Sequence, residues 1–437
     1  MYCLNLVRML NESDQVAVFH VSTQPGSWRR RLARSTVQGL RIYHCIDLGE
    51  YSRMADWANR FLQESVRTTL REFRPEVVHF HNFVSLGDDL VTLARSCGAA
   101  IVYTLHDYGL ICPNALLLQD NGGLCQKRDS DFFQDCCPVL IRTAGRSRHR
   151  RWRMRTPSLA RWQLYARQQP TPLLRSLLRL ATDRLVRLVG DPRCTGIDEK
   201  RDFFFRHTRR IFRDVDLFLA PSQFLLDRYA RCGIPPSKLL FQRYGIRHFA
   251  VSRAERRAGP LRVGYIGALH AQKGLEVLLE AFRGFVGANL HVYGSAFGSP
   301  ISQAFWKRVT KMSDNVFFHG KYDNDRLGSL LGDLDVVAVP SIWYENSPLT
   351  IQEAFIAGVP VVTANVGGMA ELVRDNVDGL HFRVGDPADL REKLRRIVDD
   401  PRILDRLRSA IPAVPTIEEH AAEMRRHYRS LLERHET

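Results

Sequence analysis

Short apolar runs alternate along the chain with polar stretches rich in glycine and proline. Runs of four to seven Val, Ile, Leu, Ala and aromatic residues read as strands of a buried parallel sheet. They occur at Gln15–Val21, Ile42–Leu48, Val77–His81, Ala99–Leu105 and Leu217–Ala220, then at Arg262–Ile266, Asn289–Tyr293, Val316–His319, Val336–Val339 and Pro360–Thr363. Stretches of helical period lie between and beyond them, among them Asp56–Phe73 and a closing Ile417–Leu432. Tyr2, Cys3, Leu6, Val7 and Leu10 also have helical spacing, with no capping residue ahead of them. Such alternation predicts an α/β protein with doubly wound sheets. The polar run Ser252–Gly259 divides it into a first domain, 1–247, and a second, 259–415, followed by a helix in 416–437.

The unit Asp335–Gly368 carries the densest chemistry. Pro340 stops its first strand, and Ser347-Pro348 reads as an N-cap and first-turn proline. Leu349, Ile351, Ala354, Phe355 and Ala357 keep the helix apolar, and Gly358 fits the position just past its end. Two carboxylates frame it: Glu345 in the loop after the strand, Glu353 within the helix. Ligands of open α/β sheets bind at the carboxyl ends of strands, so Glu345 lies on the ligand side. A helix N-terminus there suits an anion such as phosphate, and a nearby carboxylate can accept two sugar hydroxyls. The structural alternative pairs Glu353 with an arginine and leaves Glu345 in solvent. A second anion cradle follows Arg262–Ile266, where Gly267-Ala268-Leu269 and Lys273-Gly274 combine a tight turn with a positive charge. His81-Asn82 and His106-Asp107 also fall at strand ends. His106 can donate a hydrogen bond to a reacting group or be satisfied by Asp107.

Net charge changes the picture in one region. The chain carries +16 overall, and 141–190 holds thirteen arginines against one acid, Asp183. Leu173, Leu174, Leu177, Leu178, Ala181, Leu185 and Leu188 share a helical face there. An anionic membrane surface is one reading, a solvated face over ordinary core another, and nucleic acid, through Arg with Trp152 and Trp162, a third and least favoured. No apolar run approaches the ~20 residues that span a bilayer. Nine cysteines without a secretory signal argue against a disulfide framework. Cys112, Cys125, Cys136 and Cys137 cluster in the loop 112–137, without the paired spacing of a zinc site. These features point to a cytoplasmic chain, with peripheral attachment to the inner face of the cell membrane if the basic insert binds lipid.

Glu345, seven residues, Glu353, then Ala-Gly-Val-Pro-Val-Val and Gly367-Gly368, resembles the EX7E signature of the retaining glycosyltransferases of family 4. The likeness runs from Met1 to about Val414. It implies the GT-B fold, two Rossmann-like domains facing across a cleft. It also implies transfer of a sugar from a UDP- or GDP-type donor to a glycan or lipid-linked acceptor, as in cell-surface polysaccharide or glycolipid assembly. By resemblance Glu345 contacts the donor sugar, Glu353 the ribose, Lys273 the diphosphate, and His106 the diphosphate or the acceptor. Gly267, Asn346, Ser347, Pro348 and Leu349 would line the donor site, and His319-Gly320 would form the base-binding turn. No metal and no cofactor is implied. The final helix would cross back to the first domain. Two departures stand out. Ala268 replaces an arginine of the family's diphosphate site. The strand and glycine-rich loop that open family members are missing ahead of Gln15, which predicts two unpaired strands in the middle of the first sheet and suggests an N-terminal truncation. Those departures keep a non-catalytic nucleotide-sugar-binding protein open as the alternative. A sugar-nucleotide epimerase of the same fold is a more distant one.

Overall fold

A computed structural model describes residues 2–23, 31–47, 60–81, 88–112, 115–118, 123–125, 197–252, 259–295 and 314–436. The arginine-rich stretch 141–190, with Cys136, Cys137 and Asn82, lies outside these residues.

The first unit contains α1 (Tyr2–Leu10), β1 (Ala17–Thr23), β2 (Arg31–Val37), β3 (Leu40–Asp47), α2 (Arg60–Phe73), β4 (Val77–Phe80), α3 (Asp88–Ser96), β5 (Ala100–Thr104), α4 (Ile197–Asp214), β6 (Leu217–Ala220), α5 (Gln223–Arg231) and β7 (Leu239–Phe241). Its strands form two sheets. β4-β5-β6-β7 is parallel and in chain order, while β1 pairs in parallel with β3, whose other edge takes β2 antiparallel. Among the described residues β1 and β4 each lie at a sheet edge. Arg31–Val37 escapes the sequence reading because it is polar and mostly exposed. A hairpin turn at Gln38-Gly39, with both φ positive, brings it back onto β3.

β5 shows why the middle strands read as unbroken apolar runs. All five residues are buried. Ile101 and Tyr103 join the main core, whereas Ala100 and Val102 face a second cluster on the opposite side. That second cluster is built by α1, through Tyr2, Leu6 and Leu10, and by the last helix, α12 (Ile417–Glu436), through Ile417, Ala421, Met424 and Leu431. The spacing of four residues puts the α1 side chains on one face. The final helix thus packs on the first unit's sheet.

The second unit comprises β8 (Leu261–Ile266), α6 (Leu275–Phe282), β9 (Ala288–Tyr293), β10 (Val316–Gly320), α7 (Leu327–Gly332), β11 (Val336–Val339), α8 (Leu349–Ile356), β12 (Val361–Ala364), α9 (Gly367–Leu372), β13 (Gly379–Phe382), α10 (Pro387–Asp399) and α11 (Arg402–Ser409). Its six strands run parallel in the order β10-β9-β8-β11-β12-β13. Chain order reverses between β8 and β11, and a ligand crevice is expected at the carboxyl ends of such a pair. Asp335 ties the amino ends of the two strands together: its buried carboxylate accepts bonds from the Arg262 backbone N–H (2.9 Å), Nε and Nη2.

Candidate functional site

The crevice beyond β8 and β11 collects most of the residues singled out by the sequence. Gly267 begins the turn after β8, Lys273 ends a short 3₁₀ turn (Ala271–Lys273), and Glu345 lies in the loop after β11. Gly274 makes this approach possible. It has φ +71°, and a Cβ there would sit 1.8 Å from the Pro340 carbonyl oxygen. Only glycine lets the lysine loop lie against the β11 loop.

Glu345 is buried, not solvated. Its Oε1 accepts three hydrogen bonds, from Lys273 Nζ (2.6 Å), Ser341 Oγ (2.8 Å) and Trp343 Nε1 (2.9 Å). Lys273 Nζ also lies 5.7 Å from the centroid of the Trp343 ring. The lysine and carboxylate thus hold each other at the crevice floor, and the carboxylate's orientation is set from three sides. Ser341 and Trp343 were not recognised as site residues from the sequence. Both lie in the same short loop as Glu345, and that proximity was the available signal.

Glu353 has a different environment. It is mostly buried in α8, and its carboxylate makes no ion pair or hydrogen bond among the described residues. The arginine pairing that would make it a structural ion is absent among those residues. Burial pushes its carboxyl up to about 7, from an ordinary 4.5. A carboxyl left without a partner inside a protein is costly, and strongly perturbed groups of this kind cluster at functional sites.

The start of α8 differs from expectation. Ser347 does not cap the helix: Pro348, in extended conformation, precedes Leu349 and no side chain caps the end. Ser347 is turned inward and its Oγ accepts a bond from Gln352 Nε2 (3.3 Å). A buried amide in the helix competes for the hydroxyl that would otherwise cap it. Gly358 does end the helix, with φ +64°. Leu349 packs at the edge of both core clusters. Gly368 approaches the Asn346 carbonyl so closely that a Cβ would meet it at 1.7 Å, which locks the Gly-Gly pair beneath the β11 loop.

His319 and Gly320 sit at the carboxyl end of β10, exposed, on the far side of the sheet order from β11. His319 stacks on Tyr293 (4.4 Å between centroids) and contacts His291 Nδ1 through Nε2 (3.1 Å). The Gly320 carbonyl accepts from the Gly294 N–H (2.8 Å).

The first unit meets this crevice from the opposite side. Asn346 Nδ2 donates to the His106 carbonyl (2.6 Å). The His106 ring does not turn to Asp107, whose carboxylate accepts from the Gly109 N–H. Its Nε2 contacts His81 Nδ1 (3.0 Å) and its Nδ1 contacts the Tyr244 hydroxyl (2.6 Å). Burial lowers its pKa to about 4, so the ring is neutral at physiological pH and both nitrogens are engaged. Nearby, Glu371 accepts the backbone N–H groups of Gln223 (2.7 Å) and Phe224 at the start of α5, a charged cap supplied across the cleft. Phe224 stacks on Tyr344 (4.9 Å between centroids), with the Arg228 guanidinium over both rings. No sequence signal marks this bridge, because its parts are more than a hundred residues apart. In the loop 112–137, Cys112 and Cys125 are buried in the core and unoxidised. They join no metal-ligand cluster among the described residues.

Residues 250–413 match the family of glycosyl transferases, group 1. The chain is 33% identical to the glycogen synthase of Mycobacterium tuberculosis over 156 residues, 34% of this chain and 37% of that protein. It is 28% identical over 218 residues to the putative colanic acid biosynthesis glycosyltransferase WcaL of Escherichia coli, 46% of this chain and 52% of that one. It therefore spans between about a third and a half of the length of these curated relatives. Among solved structures, the sucrose-phosphate synthase from Thermosynechococcus elongatus superposes with a TM-score of 0.66 at 17% identity, covering 99% of this chain and 93% of that one. HepE of Anabaena, solved in complex with UDP and glucose, gives 0.55 at 14% identity, covering 90% and 87%. The chain has the GT-B fold, and its residues 250–413 are similar to the glycosyl transferases of group 1.

Proposed function

We propose that the chain is a retaining glycosyltransferase that moves a sugar from a nucleotide-sugar to an acceptor hydroxyl. The observation that carries the reading is Glu353. It is a mostly buried carboxyl without a side-chain partner among the described residues, on the helix that follows the Glu345 loop, in the part of the chain that matches a glycosyltransferase family. Such a group is suited to accepting the two ribose hydroxyls of a nucleotide. Lys273 swings from Glu345 to the diphosphate and, with the α8 N-terminus, stabilises the leaving nucleotide. Glu345, released from the lysine but still held by Ser341 and Trp343, orients the donor sugar. Gly267 allows the diphosphate close to backbone, while Asn346, Ser347, Pro348 and Leu349 line the donor site and His319-Gly320 faces the base. His106 lies toward the acceptor side, its carbonyl held by Asn346. Retention follows from the EX7E resemblance, with attack and departure on one face of the sugar.

UDP is the favoured nucleotide, since HepE is solved with UDP and glucose. The colanic acid assignment of WcaL supports a polysaccharide or lipid-linked glycan as acceptor. Among the described residues no helix is long and apolar enough to cross a membrane. Peripheral attachment would rest on 141–190.

The test is a binding and turnover panel of UDP, GDP and ADP with their sugar conjugates, on wild type and Glu353→Ala. Occupancy at a hundredfold excess over Kd adds about 2.7 kcal/mol of apparent stability. One base giving this shift in wild type and none in the variant is expected, with the product anomer matching the donor by NMR. Binding without turnover of any conjugate would instead establish the non-catalytic reading, which Ala268, exposed where the family resemblance places an arginine, favours.

A further inference from the structure

Behind the His106 carbonyl lies a group of imidazoles of which the proposed transfer reaction draws only on the position of His106. His79, His81 and His106 form a continuous stack, with centroids 4.1 Å apart for the first pair and 5.2 Å for the second. Tyr2 closes one side at 5.6 Å from His106 and 6.1 Å from His81. Tyr2 belongs to α1, and Cys3 follows it.

His79 is accounted for structurally. Its two ring nitrogens contact the Tyr428 hydroxyl and Thr104 Oγ1, each at 2.7 Å. His81 is not. Its hydrogen-bond partner among the described residues is His106, imidazole to imidazole at 3.0 Å. A neutral pair of this kind shares one N–H···N bond, and the same two nitrogens can instead both turn their lone pairs to a cation placed between them. Cys3 brings a third soft donor to the same place. One ligand atom from each of Cys3, His81 and His106 lies within 4.8 Å of the other two.

We propose that Cys3, His81 and His106 form a binding site for a divalent transition-metal ion of the zinc class. Ligand atoms around a tetrahedral zinc lie about 2.0–2.3 Å from the ion, which places them roughly 3.3–3.8 Å from one another. The observed spacing needs only a small contraction at the cysteine and a small separation of the imidazoles. His81 Nδ1 and His106 Nε2 already point at each other. The remaining His106 nitrogen, Nδ1, is tied to the Tyr244 hydroxyl at 2.6 Å, the outer partner that fixes tautomer and ring orientation in histidine metal sites. One Cys and two His ligands leave the fourth position to water. The ligand set favours zinc, cobalt or copper over magnesium or calcium, which require oxygen ligands. On binding, the Cys3 thiol releases its proton to solvent and the thiolate takes the metal. The imidazoles bind as neutral rings.

The site is tested on the full chain, reduced and stripped of metal, by titration with cobalt(II). The expected result is one tetrahedral cobalt per chain with a thiolate-to-metal charge-transfer band, displaced stoichiometrically by zinc. Cys3→Ser should remove that band, and His81→Ala should remove the tetrahedral spectrum. Both variants are checked by circular dichroism and melting before use. The chain has nine cysteines, so a band retained in full by Cys3→Ser would place the metal elsewhere and overturn the proposal. X-ray absorption of the zinc-loaded wild type gives a readout independent of folding defects in variants. One sulfur with two imidazoles supports the site, and an all-sulfur or sulfur-free shell sinks it. Neither readout depends on transferase activity.

Discussion

Replacing Glu353 by Gln should stabilise the protein above neutral pH while abolishing donor binding. The carboxyl has a pKa of about 7 in the folded chain against 4.5 ordinarily. Between those values the folded state binds more protons than the unfolded state, so stability falls as pH rises from about 4.5 to about 7. A shift of about 2.5 units, at ~1.4 kcal/mol per unit, corresponds to roughly 3 kcal/mol at pH 8 and less than about 1 kcal/mol at pH 5. Glutamine keeps the shape and has no charge to desolvate. For a unit of this size each kcal/mol moves the melting midpoint by about 2–4 °C. Glu353→Gln should therefore melt about 6–12 °C above wild type at pH 8 and within about 4 °C of it at pH 5. Calorimetry at both pH values, with nucleotide-sugar titration alongside, measures both halves. A variant that melts at or below wild type at pH 8 would show that Glu353 is partnered in solution, and the argument from an unpartnered carboxyl would fail.

The remaining predictions concern the frame around it. Lys273→Ala removes the cationic donor that the buried Glu345 has among the described residues, and because the lysine is partly exposed the cost should be about 1–3 kcal/mol; donor turnover should fall far more than stability, and equal losses would make the lysine structural. Gly274→Ala must relieve a 1.8 Å approach to Pro340 at φ +71°, so chemical denaturation should show a loss exceeding about 2 kcal/mol, and a neutral result would mean that the two loops are farther apart than described. Glu371→Gln keeps the size but removes the charge at the α5 N-terminus, costing about 1 kcal/mol; faster amide exchange at Gln223 and Phe224 is expected, and unchanged exchange would place Glu371 away from that helix.

Much of the second unit was legible in the sequence because its signals are local. Parallel strands buried on both faces must be continuous apolar runs, and Val336–Val339, like Leu217–Ala220 in the first unit, has the bounds read for it. The placement of Lys273 and Glu345 on one side of the sheet followed from strand ends and topology. The polar edge strand Arg31–Val37 was not legible, because a strand exposed on an edge has no apolar period to detect. Nor was the true start of α8, where a buried Gln352 claims the hydroxyl that an N-cap would use. The partners of Glu345, the isolation of Glu353 and the stack of His79, His81 and His106 against Tyr2 depend on segments brought together from across the chain. Charge and hydrogen-bond state at those positions are set by burial and by neighbours distant in sequence. Residue types and spacing specify which groups face the crevice. Only tertiary packing decides which carboxyl is paired, which is left to meet a ligand, and which imidazoles are held neutral beside a thiol.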